Sequence, residues 1–293
     1  MSAGGIICSG SIVYDTLVLP FDEPRWGTTL IVESIECHVG GNGANTSRAL
    51  ARLGTPVRLL GAVGKDPPGE FVLNSLTTDG VDSHAVLLMD AATAATVALV
   101  NSRGNRQFLH RLGVSANVFA DGIAFTPELC AGMAHYHLAS LFILPQVRIH
   151  APSILKNARA AGLTTSLDTN WDALGEWIEP LNACLPELDF LFMNEDEALH
   201  VTGSDDPAAG EEILCPAFDV EARDTTGAGD CFVAGFLSAV QRGADLREAG
   251  RLGNAVAALS VQKLGAVAGV LPLQQTQAWL ETAPVREITT EQV

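Results

Sequence analysis

The segment Asp224-Thr225-Thr226-Gly227-Ala228-Gly229-Asp230 stands directly before a strongly apolar run, Cys231-Phe232-Val233-Ala234-Gly235-Phe236-Leu237. Two glycines flank an alanine in it, so the backbone there carries almost no side-chain bulk. At the start of a helix, such a backbone directs its free N–H groups outward and binds an anion. The segment therefore predicts a phosphate-sized anion site, with the carboxylate of Asp230 at its edge.

The carboxylate of Asp230 has two interpretations. An acidic residue in the first turn of a helix stabilises the helix dipole and need do nothing else. Beside a bound phosphate, it can also take the proton of an attacking hydroxyl while a phosphoryl group is transferred. The segment by itself leaves both interpretations open.

Composition narrows the class of protein. The chain has 293 residues, 47% of them hydrophobic, which supports one large α/β domain or two smaller ones and excludes global disorder. Its formal charge is −17, from 17 basic and 34 acidic residues, and no cluster of Lys and Arg occurs. We therefore expect neither nucleic acid nor an anionic membrane as the main partner.

Cellular location follows from what the sequence lacks. Its six cysteines form no C-x-x-C pair, which is typical of reduced thiols in the cytoplasm. The N-terminus does not show the pattern of a signal peptide, and no apolar run reaches the ~20 residues of a membrane span. A cytoplasmic protein is the expectation.

Strand and helix patterns alternate through most of the chain. Buried strands are predicted at 5–10, 57–63, 134–140, 164–167 and 188–193, and helices at 42–53, 71–76, 147–161, 195–201, 227–241, 245–263 and 273–282. This alternation is typical of a doubly wound, mostly parallel sheet with helices on both faces. Half-exposed strands at 12–19, 30–39, 96–101 and 106–110 interrupt it, and the last two form a hairpin. We expect a small separate sheet from about 12–39 and 95–111.

A second glycine cluster, Gly40-Gly41-Asn42-Gly43-Ala44-Asn45, joins a predicted strand to a helix. Its glycines let the backbone approach a ligand, and its asparagines offer donors and acceptors for hydroxyl groups. A tight turn with Asn42 as the N-cap is the alternative. The cluster lacks the last glycine of the dinucleotide-binding pattern, and neither a P-loop nor the protein-kinase motifs occur in the chain.

Several motifs in order resemble one family. They are the 40–45 cluster with Ala49-Leu50-Ala51-Arg52-Leu53-Gly54, then Gly61-Ala62-Val63-Gly64-Lys65-Asp66, then Asn194-Glu195-x-Glu197, then Asp224–Asp230. Together they resemble the ribokinase-like (PfkB) carbohydrate kinases, over nearly the whole chain. The resemblance implies a single three-layer αβα domain over residues 1–293 with a β-sheet lid. It implies transfer of the γ-phosphate of ATP to a hydroxyl of a small carbohydrate.

Site residues follow from the same resemblance, position by position. It implies a catalytic base at Asp230 and an anion hole at Gly227, Ala228 and Gly229. Contacts to sugar hydroxyls are implied at Asp15, Gly41, Asn42, Asn45 and Asp230. Contacts to the nucleotide are implied at Asn194, Thr226, Gly227, Gly229 and Asn254. Asn194 and Glu197 are expected to hold Mg²⁺ mainly through water, and Asp224 and Thr226 match part of a monovalent-cation site, which leaves a K⁺ requirement open.

The chain departs from the family pattern at two places. Between Gly203 and Pro216 it lacks an expected helix, a buried strand ending in a Thr-x-Gly turn, and a hairpin, which normally touch the nucleotide. Either the protein lacks them or the sequence omits residues, and we favour omission because loss of a central strand is costly. Asp168-Thr169-Asn170 follows an expected motif, but Trp171 stands where arginine is frequent.

Three functions remain open beside one another. The leading interpretation is a sugar kinase whose substrate is ribose, fructose, 2-keto-3-deoxygluconate or a similar sugar. A nucleoside kinase on the same scaffold is the alternative enzyme, and a sugar-binding pseudokinase without turnover is the alternative outside catalysis. The resemblance also allows a homodimer formed through the lid. Arg103, Arg106 and His110 on the hairpin either reach the sugar or lie on an exposed lid surface.

Overall fold

The computed structural model describes residues 4–203 and 213–286. Within them the strands are β1 (Gly5–Ser9), β2 (Val13–Leu19), β3 (Ser34–Gly40), β4 (Val57–Leu60), β5 (Ala62–Gly64), β6 (Leu87–Met89), β7 (Ala95–Val100), β8 (Arg106–Arg111), β9 (Met133–Leu138), β10 (Thr164–Asp168) and β11 (Phe190–Phe192). The helices are α1 (Asn42–Arg52), α2 (Pro67–Thr78), α3 (Pro127–Cys130), α4 (Pro145–Ala160), α5 (Ile178–Asn182), α6 (Glu195–Thr202), α7 (Ala228–Gln241), α8 (Leu246–Ser260) and α9 (Leu273–Leu280). No helix in these ranges is long and apolar enough to cross a membrane.

The central sheet is parallel throughout, in the order β11-β10-β9-β1-β4. Its two faces are packed into separate cores, as the alternation of side chains along β1 shows. Ile6 and Cys8 pack on one face with α1, α7 and α8, while Ile7 packs on the other face with α4. Helices therefore cover both faces, which confirms the predicted three-layer, doubly wound architecture.

The lid is a four-stranded mixed sheet in the order β3-β2-β7-β8. Strands β2 and β3 are antiparallel, β2 and β7 are parallel, and β7 and β8 form the predicted hairpin. Strand β3 runs directly into the Gly40–Gly41 turn and α1, and α1 packs on the central sheet. The lid is therefore joined to the central domain at this turn. This sheet corresponds to the small β-sheet lid expected from residues 12–39 and 95–111.

Three predicted elements differ from the structure. The apolar run 57–63 is divided between β4 of the central sheet and β5, which pairs with β6. The division falls at Gly61, where a Cβ would lie 2.5 Å from Ile12 Cδ1. Residues 30–33 lie outside β3, and Ile31 is 98% exposed. Residues 213–220 have a strand-like apolar sequence that also predicts a strand, but this prediction is wrong, because only Phe218 forms a bridge, with Val285.

The short segment between Gly203 and Pro216 falls mainly on residues 204–212, which lie outside the described residues. In the described part of the chain, β11 pairs only with β10 and forms one edge of the central sheet. The side chains of Phe190 and Phe192 on this edge strand contact Phe236 of α7, with ring centroids 5.5 Å and 5.3 Å apart. The edge of the sheet therefore carries an aromatic surface beside α7.

Candidate active site

Two glycines allow α1 to begin against the end of β1. Gly41 has φ +89°, and a Cβ there would lie 2.5 Å from the Ser11 carbonyl oxygen. A Cβ at Gly43 would lie 2.8 Å from Gly10 Cα. The N–H of Asn42 then donates to the Ser11 hydroxyl at 3.0 Å. This close approach directs the first turn of α1, with Asn42 and Asn45, toward the start of α7.

Asp230 lies in the first turn of α7 and is 3% exposed. Its Oδ1 accepts a hydrogen bond from Asn42 Nδ2 at 2.9 Å, and its Oδ2 accepts one from Asn45 Nδ2 at 2.9 Å. Burial raises the pKa of Asp230 to about 6, and the two asparagine amides oppose that rise. Asp230 is therefore an oriented carboxylate that is ionised at neutral pH and accepts a proton readily.

The loop before Asp230 exposes backbone donors. Gly227 caps α7 with φ +72°, and a Cβ there would lie 2.7 Å from Ala266 Cβ, so a larger residue fits neither the backbone nor the space. Within the described residues, the N–H groups of Gly227 and Gly229 have no hydrogen-bond acceptor, whereas that of Ala228 donates to the Thr225 carbonyl at 3.2 Å. Two of the three expected anion-hole amides are thus free at the N-terminus of a helix.

A cleft of about 780 Å³ runs along these donors and Asp230. The cleft is lined by most of the residues that sequence analysis predicts to lie near phosphate or a metal ion. They are Asn42, Asp168, Asn170, Asn194, Glu197, Gly227, Ala228, Gly229 and Asp230. Aromatic and aliphatic side chains of β11 and α7 form much of the remaining wall. The structure therefore brings the 40–45, 168–170, 194–197 and 224–230 segments to one cleft.

Asp168 is a further carboxylate of this cleft. It is 9% exposed, and burial together with the charges of Asp230 and Glu197 raises its pKa well above the usual range. Asn170 beside it has φ +62°, and its buried Oδ1 has no hydrogen-bond partner. Carboxylate and amide oxygens that repel one another or lack donors favour a cation between them.

Asn194 and Glu197 form a capping box at the start of α6. The N–H of Glu197 donates to Asn194 Oδ1 at 2.8 Å, and Glu197 Oε2 accepts from the N–H of Asn194 at 3.2 Å. The Thr169 hydroxyl also donates to Glu197 Oε2, at 2.9 Å. Sequence analysis missed Thr169, whose only signal is its place inside the Asp168-x-Asn170 motif.

The oxygens near Glu197 fit Mg²⁺ held through water better than a closed set of protein ligands. Among the described residues, no group of three or more His, Cys, Asp or Glu side chains is arranged to ligate an ion directly. Mg²⁺ keeps several waters and needs only one or two carboxylates from a protein. The donor set of Asp168, Asn194 and Glu197 is compatible with such an ion.

Asp15 lies outside the cleft, on lid strand β2, and lines a small cavity between the lid and the 224–226 loop together with His38, Thr96 and Arg106. Burial raises the pKa of Asp15 to about 6, against the Thr96 hydroxyl and His38, which lower it. A Cβ at Gly40 would lie 1.8 Å from Asp15 Oδ2, so Gly40 is required for this carboxylate to take its place.

Three other predicted residues lie away from the cleft. Asp224 and Thr226 line the cavity under the lid together with Asp15. Asn254 on α8 donates through Nδ2 to the carbonyls of Cys215 and Pro216, at 2.9 Å and 3.1 Å. In this structure Asn254 therefore anchors the chain after the undescribed 204–212 segment.

Comparisons with known proteins agree with this architecture. The model of the pfkB family carbohydrate kinases matches residues 6–214 and 208–273, two parts that meet at the short segment after α6. The ribokinase of Bacillus subtilis is 29% identical over 289 residues, covering 89% of this chain and 94% of that protein. The ATP-dependent ribose-1-phosphate kinase of Halopiger xanaduensis is 32% identical over 285 residues, covering 89% of this chain and 93% of that protein.

A solved structure shows the same fold. The putative ribokinase II of E. coli, crystallised in complex with ATP and Mg²⁺, superposes with a TM-score of 0.82 over 95% of this chain and 99% of its own, at 20% identity. At that identity the similarity concerns the fold, while the family model covers most of the sequence. The chain belongs to the pfkB family of carbohydrate kinases and has their ribokinase-like fold.

Proposed function

We propose that this protein is an ATP-dependent kinase that phosphorylates a hydroxyl of a small sugar, with Asp230 as the catalytic base. The observation that carries the proposal is the geometry of Asp230, which is buried, held by two asparagine amides and placed in the same first helical turn as the free N-terminal amides. Phosphoryl transfer needs alignment and charge neutralisation rather than covalent help from the protein. Asp230 and the Gly227 and Gly229 amides supply both.

On the nucleotide side, we propose that the amides of Gly227 and Gly229, assisted by Ala228, stabilise the negative charge of the transferring phosphate. Asn194, Glu197 and Asp168 would hold Mg²⁺, which neutralises phosphate charge when bound. Thr226 and Asn254 complete the proposed nucleotide contacts, although Asn254 would have to release the Cys215 and Pro216 carbonyls. The need for ATP supports the proposal of a cytoplasmic enzyme.

On the sugar side, we propose that Asp15 and the 41–45 turn bind hydroxyl groups beneath the lid. The Asn42 and Asn45 amides donate to Asp230, which leaves their carbonyl oxygens as acceptors, and the buried Asn45 Oδ1 has no hydrogen-bond partner. Gly41 has no side chain, so the backbone of the turn can come close to the sugar. A lid over the sugar excludes water, so that ATP is not hydrolysed.

A K⁺ ion at the proposed monovalent-cation site would have to compete with Arg106 for its side-chain ligands. The two side-chain oxygens that match a monovalent-cation site are those of Asp224 and Thr226. Both already accept hydrogen bonds from Arg106, and Asp224 Oδ1 lies 2.8 Å from Arg106 Nη1. The family resemblance implies backbone carbonyls near Ser260, Lys263 and Gly265 as further ligands, and we propose them for this ion.

Exposed apolar side chains on the lid support the further proposal of a homodimer formed through it. Trp26 is 96% exposed and Ile31 is 98% exposed, while Leu109 of β8 is 56% exposed. Light scattering of the wild type should give twice the mass of the monomer, and Leu109→Lys should give the monomer. Leu246→Lys, at a 52% exposed position on α8, is the matched control. A monomeric wild type would contradict the proposal.

The kinase proposal is tested by a phosphorylation assay over ribose, fructose, 2-keto-3-deoxygluconate, other sugars and nucleosides. We expect ATP consumption with one or more sugars, and a loss of roughly 10²- to 10⁴-fold in kcat for Asp230→Asn. Asp245→Asn is the control, because Asp245 is an exposed aspartate at the start of another helix, as the N-cap of α8. Turnover with nucleosides alone would favour the nucleoside kinase. Sugar binding in calorimetry without turnover would favour the pseudokinase.

A further inference from the structure

One arginine fastens the lid to the loop before Gly227. Arg106 is the first residue of β8 and pairs in register with Val100 of β7. Its Nη1 lies 2.8 Å from Asp224 Oδ1 and also donates to the Thr226 hydroxyl. The Asp224 side chain is 1% exposed and the Arg106 side chain 19% exposed. The ion pair is therefore largely buried and joins two elements that are distant in the sequence.

The Asp224 carboxylate has two backbone N–H groups and the side chain of Arg106 as partners, and only Arg106 is charged. Its Oδ1 also accepts from the N–H of Thr226 at 2.9 Å, and its Oδ2 accepts from the N–H of Gly265 at 2.8 Å. Burial alone would raise the pKa of Asp224, but these hydrogen bonds and Arg106 lower it. In the described part of the chain, Arg106 is the only basic side chain within 4 Å of this carboxylate.

We propose that Arg106 is a positioning residue for phosphoryl transfer. When the lid is closed, Arg106 neutralises the charge of Asp224. This ion pair orders the loop that carries the Gly227 and Gly229 amides. This inference rests on the proposed kinase function. When the lid moves away, Asp224 loses its counterion, and a buried charge left without its partner destabilises its surroundings. The amides that hold the transferring phosphate are then fixed only while the sugar side is covered.

Direct contact between Arg106 and the sugar is the competing role. In that role, substitution of Arg106 raises the KM for the sugar, and substitution of Asp224 has an independent effect. In the positioning role, both substitutions act on kcat through one ion pair, so that their effects do not add. The two roles therefore differ in the kinetic parameter affected and in additivity.

The kinetic test compares the wild type with Arg106→Gln, Asp224→Asn and the double variant. We expect each single variant to lose roughly tenfold or more in kcat, with the sugar KM changed less than about threefold. The double variant should lose no more than the worse single variant, and Arg106→Lys should restore most of the rate. Arg103→Gln, in the exposed turn of the same hairpin, is the control. A rise in sugar KM with additive losses would overturn the inference.

A second measurement does not need turnover. Amide hydrogen exchange in residues 225–230 should become faster in Arg106→Gln without substrate, while exchange in α4 stays unchanged. Unchanged exchange at 225–230 would overturn the positioning role, even in a variant that folds normally. A wild type that phosphorylates no sugar would overturn the proposed function alone, because the exchange result can still be read.

Discussion

Asn45 Nδ2 lies 2.9 Å from Asp230 Oδ2, and this hydrogen bond joins the first turn of α1 to the first turn of α7. The Asn42 amide makes the matching bond to Oδ1. Two neutral donors hold the carboxylate in place, but they do not remove the effect of burial on its pKa. Asp230 is thus kept strongly basic for a carboxylate and held in one orientation, which are the two properties that the proposed catalytic base needs.

The pKa of Asp230 predicts how the rate depends on pH. Below about pH 6 Asp230 is protonated and cannot accept the proton of the sugar hydroxyl, so kcat/KM should fall about tenfold per pH unit on the acid side. Asn45→Ala should move this fall to higher pH, because the Asn45 amide lowers the pKa. Asn74→Ala, at an exposed position on α2, should leave it in place. Identical profiles for Asn45→Ala and the wild type would contradict the assignment of Asp230.

Asp15 requires its own control in that experiment, since burial raises its pKa to about 6 as well. If Asp15 only binds sugar, Asp15→Asn should raise the sugar KM but leave the acid-side fall of kcat near pH 6. Loss of that fall in kcat for Asp15→Asn would identify Asp15, rather than Asp230, as the titrating group.

The metal proposal can be tested with a matched pair of capping boxes. Asn194 and Glu197 cap α6 at the cleft, and Asp245 and Glu248 cap α8 at the surface. Glu197→Gln and Glu248→Gln should each destabilise the fold by only about 0.3–1 kcal/mol, because Gln can keep the capping bond and only the negative charge at the helix N-terminus is lost. Only Glu197→Gln should raise the Mg²⁺ concentration for half-maximal rate, by roughly tenfold or more. Equal Mg²⁺ titrations for the two variants would show that Glu197 only caps its helix.

The parallel sheet, the order of elements and the two glycine segments of the cleft could be predicted because local patterns carry them, whereas the 168–170 and 194–197 segments follow only from the family resemblance. Each buried strand is a short apolar run, and each glycine turn lies next to its helix. The division of 57–63 at Gly61 could not be predicted, because an apolar run indicates burial but not which sheet receives the strand. The apolar run 213–220 predicts a strand for the same reason, although only an isolated bridge forms there, between Phe218 and Val285.

Contacts between distant segments account for what sequence analysis left out of the site. Asn42 and Asn45 were assigned to sugar hydroxyls, but their amides donate to Asp230 on another helix. The contact of Arg106 with Asp224 likewise depends on how the lid sits on the central domain. No spacing in the chain encodes either approach, since each depends on the packing of separate elements.

Gly227 should be intolerant of a side chain for two reasons that can be separated. Gly227→Ala would be strained at φ +72° and would also meet Ala266 Cβ, so kcat should fall roughly a hundredfold as the anion-hole amide moves. Gly243→Ala has similar strain, at φ +82°, but open space around it. It should lose about 1–2 kcal/mol of stability and keep its kcat. Ala266→Gly should partly rescue Gly227→Ala, and the absence of any rescue would contradict this geometry.

Two buried histidines on β9 should make the fold sensitive to acid. His135 and His137 share hydrogen bonds with Ser166, and burial lowers the pKa of the two side chains to about 4 and about 3. The unfolded chain, with histidine pKa near 6.5, binds more protons below that pH, so the folded state loses stability as pH falls. Between pH 7 and pH 5 this amounts to about 2 kcal/mol for each histidine.

Carboxyl groups with raised pKa, such as Asp230, oppose this loss, because the folded state then binds the extra proton. The free energy of unfolding is therefore measured with denaturant at pH 7 and at pH 5. The histidine contribution is the difference between variant and wild type in the change between these two pH values. His137→Asn should be less sensitive to acid than the wild type by about 2 kcal/mol, whatever its stability at pH 7. His150→Asn, at a half-exposed position on α4, should match the wild type. An equal change between the two pH values for His137→Asn and the wild type would show that His137 does not cause the acid sensitivity.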